Sequence, residues 1–335
     1  MQLHWRERLV RARKASKMVV KSRTTAIAPC STANLGPGYD VFGLALDALE
    51  DRVRITRGPP GGGIKIKNSD AAIPVVPESN SASLAVKKMA VDFDIGDSLE
   101  VQVTKGVPAG YGVGSSAASA AAAAVAFNAL YNLKLDKDRL VEYAAEGEIA
   151  SAGTKHYDNV SASLLGGFVI VSSIAATAGS ERRFIRIEPP KDLVLAVAVP
   201  ISIEVPKKKT EVARSVLPKE VPLKSVVHNI AGASTIVAGF AIKDIEIIAK
   251  GIDDVIVEPA RKHLIPGYGD VRQNALAAGA LAVTISGAGP SMIAFMKGSK
   301  NAKKVASGMA EGFDQAGVKS SRTFVCRPSS GARVI

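Results

Sequence analysis

The stretch GVPAGYGVGSSAASAAAAAV, Gly106 to Val125, constrains the fold more than any other part of the chain. Alanine is the best helix former, and each glycine inside a helix costs about 1 kcal/mol more. A helix must therefore begin near Gly114-Ser115-Ser116 and run through the alanines. The N-terminus of a helix leaves backbone N–H groups unpaired and carries partial positive charge. Glycines ahead of it let an anion come close to the backbone, which is how phosphate loops work. The same residues also suit a tight turn before a buried helix whose alanines permit close packing. The segment alone leaves both readings open.

Composition narrows the field. The chain has 335 residues, with 47% hydrophobic and 22% charged side chains, which is ordinary for a soluble globular protein of one large or two medium domains. No apolar run approaches the roughly 20 residues that span a bilayer, so no membrane association is expected. Cys30 and Cys326 lack metal-ligand spacing and read as reduced thiols, and with no targeting segment the expected location is cytoplasmic. The net charge of +12 raises nucleic-acid binding. Residues 1–17, however, hold six Lys or Arg against one Glu, and the only other compact basic run is Lys207 to Lys209. Aromatic residues, at 5%, are too few for a base-stacking platform, so no nucleic-acid partner is expected. Residues 1–23 read as a basic, disordered extension, with Met18 a candidate start.

Short alternating strands are expected at 51–58, 63–68 and 99–106, with a helix at 81–93. A helix over 136–152, a strand at 166–173 and two strands between 182 and 199 follow. A mostly helical stretch from Thr210 to Gly279 leads to a hairpin around Gly287-Ala288-Gly289-Pro290. A helix near 301–316 and a strand at RTFVCRP close the chain. Runs of strands with helices not strictly alternating predict an α+β fold. The two domains are placed at 24–175 and 176–335.

Four short segments carry candidate chemistry. The glycine loop is not Walker A, since no Gly-Lys-Ser/Thr follows, and Ser115 stands where a dinucleotide fingerprint needs its third glycine. Its serines can cap the helix or ligate magnesium. Glu148 has Ala145, Ala144 and Val141 three, four and seven residues behind it, so it lies on an apolar helix face. Burying a bare carboxylate is costly, and a magnesium ion would satisfy it; a solvated glutamate is the plainer alternative. Lys155 to Asn159 (KHYDN) and Cys30 to Asp40 (CSTANLGPGYD) gather polar groups around turns, and SGAGPS at 286–291 is a second glycine loop. Taken singly, each is an ordinary turn.

The order of these segments is more specific than any one of them. PAGYGVGSSAA (108–118) resembles the phosphate-binding motif of the GHMP kinases, and ISGAGPS (285–291) resembles their C-terminal glycine motif. APCSTANLGPGYDVFGLAL (28–46) and HYDNVSASLLGG (156–167) are similar to the homoserine kinase branch. The resemblance runs from about residue 24 to the end. Mevalonate and galactose kinases keep a Gly-Glu-His near the first motif and later an Asp base. This chain lacks the former and has Asn159 in place of the latter, which again fits the homoserine kinase branch.

The resemblance implies a two-domain GHMP kinase fold: a ribosomal-S5-like N-terminal domain with a left-handed βαβ unit, and an α/β-sandwich C-terminal domain. It implies ATP and Mg2+ as cofactors, L-homoserine as substrate, threonine biosynthesis as the setting and a homodimer. Residues Pro108, Ala109, Gly110, Tyr111, Gly112, Val113, Gly114, Ser115 and Ser116 would form the nucleotide loop, with Asn80 beside the adenine. Ser116 and Glu148 would hold the metal, and Asn159 would join them at the reacting centre. Asp40 and Asn34 suit the substrate ammonium, and Arg214 and Arg261 its carboxylate, because a guanidinium pairs with a carboxylate in two-pronged fashion. His156, Asn159, Thr210 and Gly287 would complete the pocket. Two rivals remain at this point: another GHMP kinase, acting on shikimate or an isoprenoid alcohol, and a nucleic-acid-binding protein on a related fold.

Overall fold

A computed structural model describes residues 21–68, 73–172, 183–206 and 209–335. The expected basic extension falls almost wholly outside the described residues. Its last residue does not belong to it, because Arg23 opens the first strand and pairs with Thr56.

The first half contains β1 (Arg23–Ala33), β2 (Phe42–Pro60), β3 (Ile64–Asn68), α1 (Ser81–Asp92), β4 (Asp97–Thr104), α2 (Ser115–Leu130), α3 (Lys137–Ala152), α4 (Asp158–Leu165) and β5 (Phe168–Ser172). The second half contains β6 (Arg183–Ile187), β7 (Leu193–Val199), α5 (Lys209–Ser215), α6 (Leu223–Ile242), α7 (Ile245–Gly251) and α8 (Val257–Arg261). After these come α9 (Tyr268–Ala277), β8 (Ala282–Ile285), β9 (Met292–Lys297), α10 (Ala302–Gln315), β10 (Arg322–Cys326) and β11 (Arg333–Val334).

Seven strands form the first sheet, in the order β11-β1-β2-β4-β3, with β5 also on β2 and β6 on β5. One long strand, β2, pairs with β1 on one edge and serves two neighbours on the other. Its first residues pair with β5 and its later ones with β4, and three extra residues between Leu46 and Glu50 bulge against Pro29–Cys30. Such a bulge bends the strand. β3, α1 and β4 form a parallel strand–helix–strand unit, the only parallel pairing among the described strands. Two strands of this sheet, β6 and β11, lie beyond the division expected at 175/176, so the chain leaves the first sheet after Ile187 and returns to it at its end.

The second sheet is antiparallel, in the order β10-β7-β9-β8. Every residue of β7 is buried, because both faces of the sheet are covered. Val194, Ala196 and Ala198 face the core built with α9 and α10, while Leu193, Leu195, Val197 and Val199 join the core shared with the first half. This is the expected sandwich. Phe168 of β5 stacks on Phe240 of α6 at 4.0 Å, which ties the two halves together.

The absence of a bilayer-length apolar run was expected and is not what the chain shows. α6 is 20 residues long with mean hydropathy 1.5, which suffices to cross a membrane by length and composition alone. In the fold it packs on α7, with Gly239 and Gly232 against the backbone of Ile248 and Gly251.

The alanine helix α2 is surrounded. β1, β2, α1, α3 and α4 all touch it, and Ala117 to Ala124 are buried without a break. Only small side chains allow so many neighbours to approach one helix. At its crossing with α3, a Cβ on Gly147 would lie 2.5 Å from the Ser81 carbonyl oxygen and 2.6 Å from Ala120 Cβ. That crossing carries the next residue, Glu148, to the mouth of α2.

Candidate active site

A cleft of about 600 Å³ runs between the two halves, and the N-terminus of α2 opens into it. The glycine loop reaches that helix through three left-handed residues, Gly110, Gly112 and Gly114, with φ of +87°, +79° and +69°. Side chains are excluded there by space as well as by φ. A Cβ on Gly112 would sit 2.4 Å from the Ser286 carbonyl oxygen and 2.5 Å from that of Gly289, and one on Gly114 would sit 2.2 Å from Ser31 Oγ. The two glycine motifs, some 175 residues apart in sequence, therefore interlock. Ser286 Oγ donates to the Gly112 carbonyl at 2.8 Å, and the Ser291 N–H donates to that of Tyr111 at 3.2 Å.

A buried charge network anchors the start of the loop. Asp51 accepts from the N–H groups of Gly106 and Val107, both at 3.0 Å, and from Ser119 Oγ at 2.6 Å. Lys105 pairs with Asp51 and also donates to the Ser115 carbonyl and Ser119 Oγ, each at 3.0 Å. Neither Lys105 nor Asp51 is flagged by any sequence motif, since each lies on or just beyond a strand and only pairing across 54 residues joins them.

Of the expected loop residues, Ala109, Gly110, Gly112, Gly114, Ser115 and Ser116 line the cleft. Pro108, Tyr111 and Val113 do not. Tyr111 donates its hydroxyl to the carbonyls of Ile201 and Ile203, and buried Val113 accepts from the Ser31 N–H at 3.2 Å, so these residues brace the loop from behind. Ser115 Oγ is spent on the Val107 carbonyl at 2.8 Å. Asn80 reaches the cleft, but its carboxamide caps α1 through the Ser83 N–H at 3.2 Å and donates to the Pro74 carbonyl at 2.9 Å.

Carboxylates converge beside the helix mouth. Glu148 is buried and held high, at about 7, mainly by loss of solvation and also by the Asp158 charge, against a lowering hydrogen bond from Ser116. Asp158, the first residue of α4, is buried too and pushed up to about 6, again chiefly by desolvation, with the Asp40 charge adding to it. Asp158 is missed at the sequence level because KHYDN reads as a turn, whereas its last two residues open a helix.

The far end of the cleft carries the opposite charges. Arg214 of α5 contacts both oxygens of Asp40, at 2.8 and 2.9 Å, and donates to His156 Nδ1 at 3.1 Å. Arg261 of α8 is buried, donates Nε–H to the Ala213 carbonyl at 2.9 Å, and loses some proton affinity to desolvation. Tyr39, missed in the sequence, lies beneath both guanidinium groups, at 5.5 Å from Arg214 and 5.1 Å from Arg261. Asn34 serves the wall: its amide donates to the Gly287 carbonyl at 2.8 Å and its oxygen accepts the Asp40 N–H at 3.1 Å. Thr210 and Gly287 line the same end. Asn159 sits between the two ends, its carboxamide oxygen accepting from Ser31 Oγ at 3.1 Å, which leaves the amide NH2 as its donor.

Oxygen donors such as Ser116, Glu148 and Asp158 suit a hard divalent cation. The raised proton affinity of Glu148 and Asp158 reports negative charge held in poor solvation, which a cation would relieve. Among the described residues no cluster of three or more His, Cys, Asp or Glu could enclose a metal. The donor set therefore fits magnesium shared with phosphate oxygens and water, not a closed protein cage.

Comparison with known proteins converges on one family. Residues 80–167 match the GHMP kinases N terminal domain and residues 236–315 match the GHMP kinases C terminal domain. The homoserine kinase of Thermoplasma volcanium is 38% identical over 80% of this chain and 83% of that protein. That of Thermoplasma acidophilum is also 38% identical, over 93% of this chain and 96% of that one. A crystal structure of homoserine kinase from Cytophaga hutchinsonii superposes with a TM-score of 0.85 at 34% identity, covering 96% of this chain and 99% of the other.

Proposed function

The chain belongs to the GHMP kinases, alongside the homoserine kinases, and from that premise we propose that it transfers the γ-phosphoryl group of ATP to the side-chain hydroxyl of L-homoserine, giving O-phospho-L-homoserine and ADP on the route to threonine. The observation that carries this reading is a cleft with an anion-binding helix mouth at one end and paired opposite charges at the other. An amino acid is a zwitterion and needs both signs. Asp40 takes the ammonium, while Arg214 and Arg261 take the carboxylate. The Asp40–Arg214 pair is about two-fifths exposed on each side. Such pairs contribute little on their own, so a substrate zwitterion exchanges into it cheaply.

At the other end Gly110, Gly112 and Gly114 bring backbone close to the phosphates, and the N–H groups opening α2 face the negative charge. Ser116 and Glu148, with Asp158 behind them, would hold magnesium, which supplies charge neutralisation at the phosphates when bound. Asn159 would offer its NH2 to the reacting oxygens. The transfer is mainly positioning and electrostatics through a loose transition state. The reading includes a homodimer, implied by the family resemblance, and the cytoplasmic location expected from the sequence.

A different acceptor within the family is disfavoured by Asp40. Shikimate and isoprenoid alcohols carry no ammonium, so neither can take the place of Arg214 on Asp40 when that guanidinium turns to a substrate carboxylate. ADP release coupled to an indicator reaction, with magnesium, ATP and a panel of L-homoserine, shikimate and mevalonate, tests the assignment. Turnover with homoserine at least a hundredfold above the other acceptors is expected, and a preference for either of those would overturn it.

A further inference from the structure

The basic run Lys207 to Lys209 is left over from the mechanism above, and Lys209, its one described member, enters the cleft as the first residue of α5. Its Nζ donates to the carbonyl oxygen of Gly289. That same oxygen lies 2.5 Å from where a Cβ on Gly112 would stand. The ammonium is therefore held between the two interlocked glycine loops, at the phosphate loop itself. Val205 presses on the neighbouring glycine: a Cβ on Gly110 would lie 2.9 Å from Val205 Cγ1. The segment leading into α5 thus packs over the loop, and the Lys209 N–H fixes the turn by donating to the Pro206 carbonyl at 3.1 Å.

An ammonium has three donors. Among the described residues one is spent on Gly289 and none on a carboxylate. The side chain is only partly exposed. The environment is one that lacks an anion. Desolvation, with the positive charge of Arg261 adding to it, pushes Lys209 down to about 7. The second glycine loop carries no titratable side chain, and the phosphate loop carries only Tyr111, whose hydroxyl is engaged elsewhere. A phosphate oxygen arriving here would restore the proton affinity and be restored in turn by a full positive charge.

We propose that Lys209 is a catalytic residue that binds a non-bridging oxygen of the transferred phosphoryl group. The inference rests on the kinase reading and deepens it. The bond from phosphorus to the ADP leaving oxygen breaks, and the bond to the homoserine oxygen forms. The hydroxyl proton passes to a phosphoryl oxygen or water. Lys209 keeps its own proton throughout and stabilises charge on the group in flight.

The test compares wild type with Lys209→Met, which keeps the apolar stem, and Lys209→Arg, which keeps the charge. A fall in kcat of about a hundredfold is expected for Lys209→Met, as for loss of one transition-state donor. KM for homoserine should stay within about threefold, and Lys209→Arg should recover part of the loss. Titration calorimetry without acceptor provides a readout independent of turnover: Lys209→Met should weaken ATP at least tenfold while leaving ADP within twofold. At pH 7.5, in buffers of different ionisation enthalpy, wild type should take up more protons on binding ATP than the variant does. Turnover within threefold of wild type, or equal weakening of ATP and ADP, would overturn the proposal. If Lys209→Met melts early, Lys209→Gln carries the same measurements. An inactive wild type on homoserine would sink the substrate reading alone, because the ATP-against-ADP comparison still judges Lys209.

Discussion

Replacing Glu148 with Gln should stabilise the fold while destroying the activity. Burial raises the Glu148 carboxyl from its ordinary 4.5 to about 7. That is about two and a half decades of proton affinity, worth about 3 kcal/mol at ~1.4 kcal/mol per decade. The sign follows from linkage. The folded state holds this proton more tightly than the unfolded state, so charging the group costs stability. The cost is absent below about pH 4.5, grows as pH rises, and is complete above about pH 7. Gln has the same shape and no charge, and its oxygen still accepts from Ser116. Its new NH2 is buried and needs an acceptor, so roughly 1 kcal/mol of the gain is set against imperfect pairing. In chelator, without nucleotide, the variant should exceed wild type by about 2 kcal/mol at pH 8, a rise in Tm of about 3 °C for a chain of this size. At pH 5 the advantage should shrink below about 1 kcal/mol. Turnover with saturating ATP, homoserine and magnesium should fall by about a hundredfold or more. An advantage of equal size at pH 5 and pH 8 would refute the reasoning, since it would show that the charge is not what strains the site. Full turnover at limiting magnesium would remove Glu148 from the metal site.

Three further outcomes are expected. Gly112→Ala sets a Cβ between two carbonyl oxygens at a φ of +79°, so the interlocked loops must part; stability should drop by about 3 kcal/mol in urea melts, and turnover with it. Arg261→Lys keeps the charge but cannot both brace the Ala213 carbonyl and grip a carboxylate; KM for homoserine should rise tenfold or more while KM for ATP stays within twofold. His156→Gln should raise KM for homoserine and leave substantial kcat at saturation.

Much of the fold and part of the site were legible in the sequence, for identifiable reasons. The helix beginning at Ser115 was readable because glycine and alanine differ so sharply in helix propensity, and the hairpin around Gly287 because turn glycines interrupt two apolar runs. Glu148 showed itself by helical periodicity alone. What escaped depends on pairing between distant segments. Asp51, midway along β2, and Lys105, just past the end of β4, are unremarked charges until β2 and β4 lie side by side. Tyr39 becomes a platform only when α5 and α8 bring Arg214 and Arg261 over it. β6 looked like part of the second half because a strand's sheet is set by its partner, β5, not by its own residues. Asp158 was hidden because the polar run before α4 reads locally as a turn.

The geometry bears most directly on whether a base removes the hydroxyl proton. His156 is the obvious candidate, and its surroundings disqualify it. A guanidinium can only donate, so the contact from Arg214 to Nδ1 at 3.1 Å occupies that nitrogen's lone pair. The ring proton is then on Nε2, 3.2 Å from Thr154 Oγ1, which accepts it. Desolvation, with Arg214 adding to it, lowers the His156 pKa, so the neutral ring prevails at pH 7, yet neither nitrogen presents a lone pair to substrate. Asn159 offers an NH2 donor, which takes no proton. Asp158 and Glu148 have suitable values, about 6 and about 7, but both are carboxylates beside the helix mouth, and a substrate ammonium or a metal nearby would draw those values down. A loose transition state asks little of the nucleophile, so the proton can leave late, to a phosphoryl oxygen. With both substrates and magnesium saturating, kcat should therefore stay flat from pH 6 to pH 8, for wild type and for His156→Gln alike. An acidic limb near pH 6 that disappears in Asp158→Asn, together with a collapse in kcat of about a hundredfold or more, would establish Asp158 as the base and end the base-free account.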